Sequence, residues 1–216
     1  MLSGGLIENS ICALVGTYGT GKTMLALQFA YEGLSRGEKV IYISLEEREE
    51  HLRATMAQKG WDPGAFGDRF YLLKLDPTDF NLAINSIKSE LPALIESTGA
   101  SRVVIDPISL FEGLFEDESE RRREMFRFVE VMRDEACTLV LTSETCPGNP
   151  EESRYGIIEY LADTVILLRY IRSPGLTEVH LVIEVVKMRR SAHSREIKPF
   201  EILQDGILVH SEASLF

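Results

Sequence analysis

The chain has 216 residues, with 23 Lys and Arg against 34 Asp and Glu, a net charge of −11, and 44% hydrophobic residues. These values describe one globular domain of roughly 100–250 residues with a sizeable core, and they exclude a disordered chain. No apolar run approaches the ~18–20 residues of a membrane span, and the strong acidity argues against nucleic acid as a partner.

The opening Met-Leu-Ser-Gly-Gly-Leu has neither the basic start nor the apolar stretch of a secretory signal. Cys12, Cys137 and Cys146 are an odd number without CxxC or His-rich spacing. They read as buried thiols of a cytoplasmic protein.

Short β-branched runs alternate with longer helical patterns along the chain. Residues 11–15 read as a buried strand ending at Gly16, and 22–35 as a helix stopped by Gly37. A strand over 39–45, a charged helix over 47–59, a strand over 69–73 and a helix over 81–97 follow. Residues 102–105 form a compact strand meeting Asp106. A helix over 118–134 and a strand over 138–142 complete this part. Such alternation predicts an α/β fold, a parallel central sheet flanked by helices. Strands over 163–170, 178–187, 196–202 and 207–210 then predict a mostly antiparallel, β-rich C-terminal extension of the same domain, residues 1–216. The stretch Glu116-Asp117-Glu118 before Arg121-Arg122-Arg123 reads as the exposed first turn of the 118–134 helix.

Gly16, Thr17, Tyr18, Gly19, Thr20, Gly21, Lys22 and Thr23 fit the phosphate-binding pattern G-x-x-x-x-G-K-[ST], with Met24 next in the helix. The glycines let backbone N–H groups turn inward around phosphate oxygens at the positive end of a helix. Lys22 is expected at the β- and γ-phosphates and the Thr23 hydroxyl on Mg²⁺. Asp106, a carboxylate at a strand's C-terminal edge, is the expected second magnesium partner. Hydrolysis also needs a group that orients water. Glu46 and Glu47, closing the strand over 39–45, are candidates, since adjacent acids repel and one pKa is favoured to rise. Their alternative is a pair of solvated residues opening the next helix.

The P-loop, Glu46-Glu47, Asp106 and the later Lys187-Met188-Arg189 together resemble the KaiC-type branch of the RecA-like P-loop ATPases. Gly4-Gly5, Gln28-Phe29, Gly60-Trp61-Asp62, Ala162-Asp163, the run from Pro199 to Ile202 and Gly206-Ile207 extend the resemblance nearly end to end. It implies a RecA-like fold, ATP and Mg²⁺ as ligands, and a homo-oligomer, a hexameric ring with nucleotide between subunits. Glu46 and Glu47 match the family's catalytic carboxylates, with Lys22 as the phosphate-neutralising cation. Lys187, Met188, Arg189, Ser191 and His193 match a segment that contacts the neighbouring subunit's nucleotide. From the residues alone that segment is a basic strand end, with Lys187 and Arg189 on one face. Thr142 and Ser143, in the run Thr142-Ser143-Glu144 that ends a core strand, resemble a sensor position between the P-loop and Asp106; a plain strand-end turn is the alternative. Leu203 and Gln204, and more weakly Gln58, sit where relatives line the base.

Arg190 stands where the family usually has Gly, and Arg195 where Lys is common. There is one P-loop, and 111–123 offers only Ser119 in place of the vicinal phosphorylation pair of the clock proteins, so the autokinase role does not carry over. Relatives generally have an additional segment ahead of Gly4-Gly5. The expected function is a slowly hydrolysing ATPase acting as a ring-forming signalling or regulatory module with an unidentified protein partner. A non-hydrolysing ATP-dependent scaffold, like an archaeal motility accessory protein, is the alternative. A RadA-like protein acting on single-stranded DNA needs basic Gly-rich loops, whereas Pro147-Gly148-Asn149-Pro150 and Ser173-Pro174-Gly175 are short.

Overall fold

A computed structural model describes residues 1–172 and 179–213. The Ser173-Pro174-Gly175 loop and the expected strand start at Glu178 lie outside the described residues.

The strands β1 (Ile11–Gly16), β2 (Val40–Ser44), β3 (Phe70–Lys74), β4 (Arg102–Asp106), β5 (Thr138–Ser143) and β8 (Thr164–Ile171) belong to one sheet. With β9 (His180–Met188), β10 (Lys198–Leu203) and β11 (Gly206–Val209), the sheet runs β11-β10-β9-β8-β1-β5-β4-β2-β3. Pairing is parallel from β8 through β3 and antiparallel from β8 to β11. The expected C-terminal extension is therefore a continuation of the central sheet. Its first strand is a correction to the sequence reading, because β8 completes the parallel core by pairing with β1.

Both faces of the core strands are covered, which is why they read as continuous apolar runs. Ile11, Ala13 and Val15 of β1 enter one core with α4 (Leu91–Thr98), α5 (Ile108–Glu112), α6 (Glu118–Asp134) and α7 (Ile158–Leu161). Cys12 and Leu14 face the other, beneath α1 (Lys22–Ser35) and α2 (Glu49–Gln58). Cys12 and Cys137 are buried free thiols, as expected, and burial pushes both up to about 12. Cys146 is a correction, being half-buried.

The helix expected over 81–97 is made of α3 (Phe80–Asn85), a π-turn at Ser86–Glu90 and α4. Pro92 lies in the first turn of α4 and has no N–H to donate, which breaks the regular ladder there. The sequence reading also missed α5, α7 and the hairpin of β6 (Thr145–Cys146) with β7 (Asn149–Ser153). The Glu116–Glu118 expectation holds: the Asp117 carboxylate caps α6, accepting from Glu120 N at 2.8 Å.

Candidate nucleotide-binding site

The C-terminal edge of the parallel strands carries the site, as the topology of open α/β sheets requires. The Gly16–Thr23 loop leaves β1 and enters α1. Gly19 and Gly21 hold φ of 72° and 85°, conformations that favour glycine. A Cβ on Gly16 would stand 2.6 Å from the Leu168 carbonyl of β8, so that position needs glycine for space. Gly21 caps α1 without a side chain, leaving first-turn N–H groups directed into the loop. Thr20 is buried and donates to Thr17 O at 2.7 Å. Lys22 Nζ folds back onto the same carbonyl at 2.9 Å. Its burial lowers the ammonium pKa, opposed by the charges of Asp106, Glu144 and Glu46. Tyr18 projects outward, 83% exposed, while the Met24 side chain packs toward the core beneath α1.

Three further strand ends meet this loop. On β4, the buried Asp106 carboxylate accepts Tyr42 Oη on Oδ2 at 2.6 Å and the Thr142 hydroxyl on Oδ1. β5 lies between β1 and β4, which places Thr142 and Ser143 between the P-loop and Asp106. Ser143 Oγ donates to Glu144 O at 3.0 Å. β2 is the strand beyond β4, and Ser44 stands opposite Asp106. Leu45 N donates to Asp106 O at 2.8 Å, joining the start of the Glu46-Glu47 segment to the aspartate strand. Glu46 is exposed and Glu47 half-buried. Burial raises the Glu47 carboxyl, with Asp106 and Glu46 adding to the effect.

The turn between β10 and β11 closes over the start of α1. A Cβ on Gly21 would lie 2.9 Å from Ile202 Cδ1. Leu203 and Gln204 are exposed in that turn, and Lys59, next to the exposed Gln58, donates to Leu203 O. Gln28 of α1 grips the hairpin: its Oε1 accepts from Ile207 N at 2.6 Å and its Nε2 donates to Ile207 O at 3.3 Å.

Lys187, Met188, Arg189, Ser191 and His193 lie elsewhere. β9 runs antiparallel to β8, so Lys187 pairs with Val165 and Met188 with Thr164, whereas the P-loop's Gly16 pairs with Leu168. The segment is thus at the opposite edge of the sheet from this chain's own P-loop. Lys187 Nζ donates to Ala162 O at 2.7 Å and Glu159 O at 2.8 Å, and Arg189 to Tyr160 O at 3.0 Å. With Arg133 on Leu161 O at 2.8 Å, three cations serve the carbonyls that end α7. Lys187 and Arg189 do share a face. The Met188 side chain is buried in the α1-side core. Ser191 and His193 are half-buried, each bonded to a neighbouring carbonyl. Arg190 has φ of 64°, which explains why Gly is expected there.

Sequence reasoning missed Tyr42, whose hydroxyl holds the aspartate, while Glu144, which faces Lys22, is the last residue of the stretch expected as the sensor. Glu144, Thr17, Tyr18, Cys146, Pro147 and Arg154 line a cavity of about 360 Å³ beside the P-loop. Tyr42 reads in sequence as one more core residue of an apolar strand, and no motif marks it.

A phosphate loop on β1, an aspartate on β4 and a RecA-like strand order define a P-loop nucleotide-binding domain. The chain belongs to the KaiC ATPase family, whose description matches residues 1–214. The circadian clock protein KaiC3 of Synechocystis is 29% identical over 95% of this chain but only 42% of its own length. The chain thus spans about two-fifths of such clock proteins. A UPF0273 protein of Pyrococcus horikoshii is 28% identical, covering 100% of this chain and 91% of its own. A KaiC-like protein of Pyrococcus horikoshii, solved by crystallography, superposes with a TM-score of 0.83 at 30% identity, covering 97% of this chain and 93% of its own.

Proposed function

We propose that the chain binds MgATP on the Gly16–Thr23 loop and hydrolyses it slowly, in a ring whose subunits complete one another's sites. The reading rests on one observation above the rest: Asp106 is buried, held by Tyr42 and Thr142, within the field of Lys22 and beside Glu46 and Glu47.

The residues present fit a magnesium ion. Each Asp106 oxygen accepts one hydroxyl and keeps a further acceptor site, which suits holding a metal-bound water more than direct ligation. Thr23 supplies the hydroxyl ligand. Mg²⁺, when bound, neutralises charge on the β- and γ-phosphates. Lys22 leaves the Thr17 carbonyl for the phosphate oxygens, and the first-turn N–H groups of α1 cradle them. Glu46 orients the attacking water and accepts its proton, with Glu47 beside it. Thr142 registers the γ-phosphate through the hydroxyl that holds Asp106, with Ser143 beside it. Leu203 and Gln204 cover the base.

Lys187 and Arg189 act on the neighbour's nucleotide, supported by their location at the sheet edge away from this chain's own loop. Arg189, with its side chain 45% exposed, is the freer of the two and serves as the finger. Ser191 and His193 continue the same contact surface. The product is a conformational signal to a protein partner.

The test is the steady-state ATPase rate against protein concentration at saturating MgATP, with Glu46→Gln and Arg189→Ala alongside. A specific rate that rises with concentration and collapses in both variants is expected. Tight nucleotide binding with no turnover above the Glu46→Gln background overturns hydrolysis and leaves an ATP-gated scaffold.

A further inference from the structure

The last residue of α5, Glu112, is 0% exposed, and neither carboxyl oxygen has a hydrogen-bond partner among the described residues. A buried carboxylate in that condition is costly enough that the group stays protonated instead. α5 begins one residue after the cis peptide joining Asp106 to Pro107, so Glu112 sits at the far end of the element that leaves the magnesium aspartate.

Its surroundings are specific. From α7, Glu159 adds a like charge; from α6, Arg121 adds an opposing one. Arg121 is otherwise committed: its Nε donates to the Glu112 carbonyl at 2.9 Å, and its guanidinium lies 4.1 Å over the Tyr155 ring. Tyr155, in the segment before α7, brings its hydroxyl to 3.0 Å from where a Cβ on Gly113 would stand. The Glu159 carboxylate is tied to Ser153, which donates its hydroxyl at 2.7 Å as well as its N–H. The Glu159 carbonyl, in turn, is one of those that receive Lys187. Burial, with Glu159 adding, pushes the Glu112 carboxyl up to about 8.

We propose that Glu112 is a proton-carrying positioning residue: neutral, it lets α5 pack against α7 and so keeps Lys187 and Arg189 docked on the α7 carbonyls; ionised, it loosens α7 and releases them. The step is a proton lost to solvent and nothing else. The inference rests on the proposed function for its consequence, since the cations it governs are those assigned to the neighbour's nucleotide.

Hydrogen exchange of the full chain over residues 157–163, corrected for intrinsic chemistry, tests it between pH 6 and 9. Protection in the wild type is expected to fall by up to about tenfold per pH unit from pH 6 toward pH 8, where the opened segment has released the proton that the packed one holds, and to level above pH 8. Glu112→Gln, which cannot ionise, keeps it flat. Should that variant fail to fold, Glu159→Gln removes the like charge and moves the transition to lower pH. In parallel, the Arg189-dependent part of the ATPase rate declines from pH 6 toward pH 8 in the wild type and not in Glu112→Gln. Protection that is flat in the wild type, or that falls identically in the Gln variants, overturns the proposal. Absence of turnover at every pH, with the exchange transition present, removes the ATPase reading and leaves the proton device standing.

Discussion

At the scale of single residues, the site is organised around one carboxylate. Tyr42 stands opposite Val104 in the β2–β4 ladder, so Asp106, two residues further, is its diagonal neighbour on the same face, within reach of an aromatic side chain. That diagonal delivers the hydroxyl to Oδ2, while Thr142 reaches Oδ1 from the strand on the other side. Replacing Tyr42 by Phe removes a buried hydrogen bond to a charged group, a change of about 1.5–3 kcal/mol. Urea denaturation is expected to show that loss, and Mg²⁺ is expected to support nucleotide binding less well. An unchanged midpoint and unchanged Mg²⁺ dependence would mean that the hydroxyl is idle. The phosphate loop, Asp106 and the Glu46-Glu47 pair were legible in the sequence because the chemistry restricts their residue types and spacing. Tyr42 was not, since its role exists only once β2 is known to lie beside β4.

Secondary-structure elements show where local pattern is overridden. The periodicity over 81–97 is helical, yet Pro92 forces the π-turn before α4, and Lys88 within that turn reaches Glu124 of α6. β8 has the alternation of the strands that follow it, but its partner on one side is β1, so only the assembled sheet distinguishes it from the antiparallel strands. The β10–β11 hairpin is an edge element that depends on Gln28. That side chain satisfies both backbone groups of Ile207, and a Cβ on Gly206 would fall 2.7 Å from its Oε1 and 2.9 Å from Trp61 Cζ2. Gln28→Ala leaves the Ile207 groups unserved, worth about 1–3 kcal/mol locally, and loosens the turn carrying Leu203 and Gln204. We expect a several-fold rise in nucleotide Kd, together with a shift in the emission of Trp61, the chain's single tryptophan. Emission and Kd both matching the wild type would separate the hairpin from nucleotide binding.

For the molecule as a whole, the fold class was legible because strands covered on both faces and helices of matching period admit few architectures. Strand order was not, since it depends on long-range register that no local run encodes, and with it went the junction of α5, α6 and α7 around Glu112. That junction has a consequence for the stability of the entire domain. The Glu112 carboxyl lies at about 8 in the fold against an ordinary 4.5. Between those values the folded chain holds a proton that the unfolded chain has released. Stability is therefore greatest with respect to this group below pH 4.5 and falls as pH rises toward 8, by up to roughly 1.4 kcal/mol per unit, levelling above it. The acidic side is bounded by groups of the opposite sense. Glu124, lowered chiefly by the hydrogen bond from Lys88, contributes stability that is present above its ordinary value and lost as acid protonates it. Urea unfolding free energies at pH 6, 7, 8 and 9 are expected to decline in the wild type over the first three and change little after. In Glu112→Gln the decline attributable to this carboxyl disappears, so the two curves converge at the acidic end of that range and separate at the alkaline end, the variant being the more stable. Parallel curves would place the proton elsewhere, because no other substitution-insensitive group can reproduce a pH-dependent difference confined to one side chain.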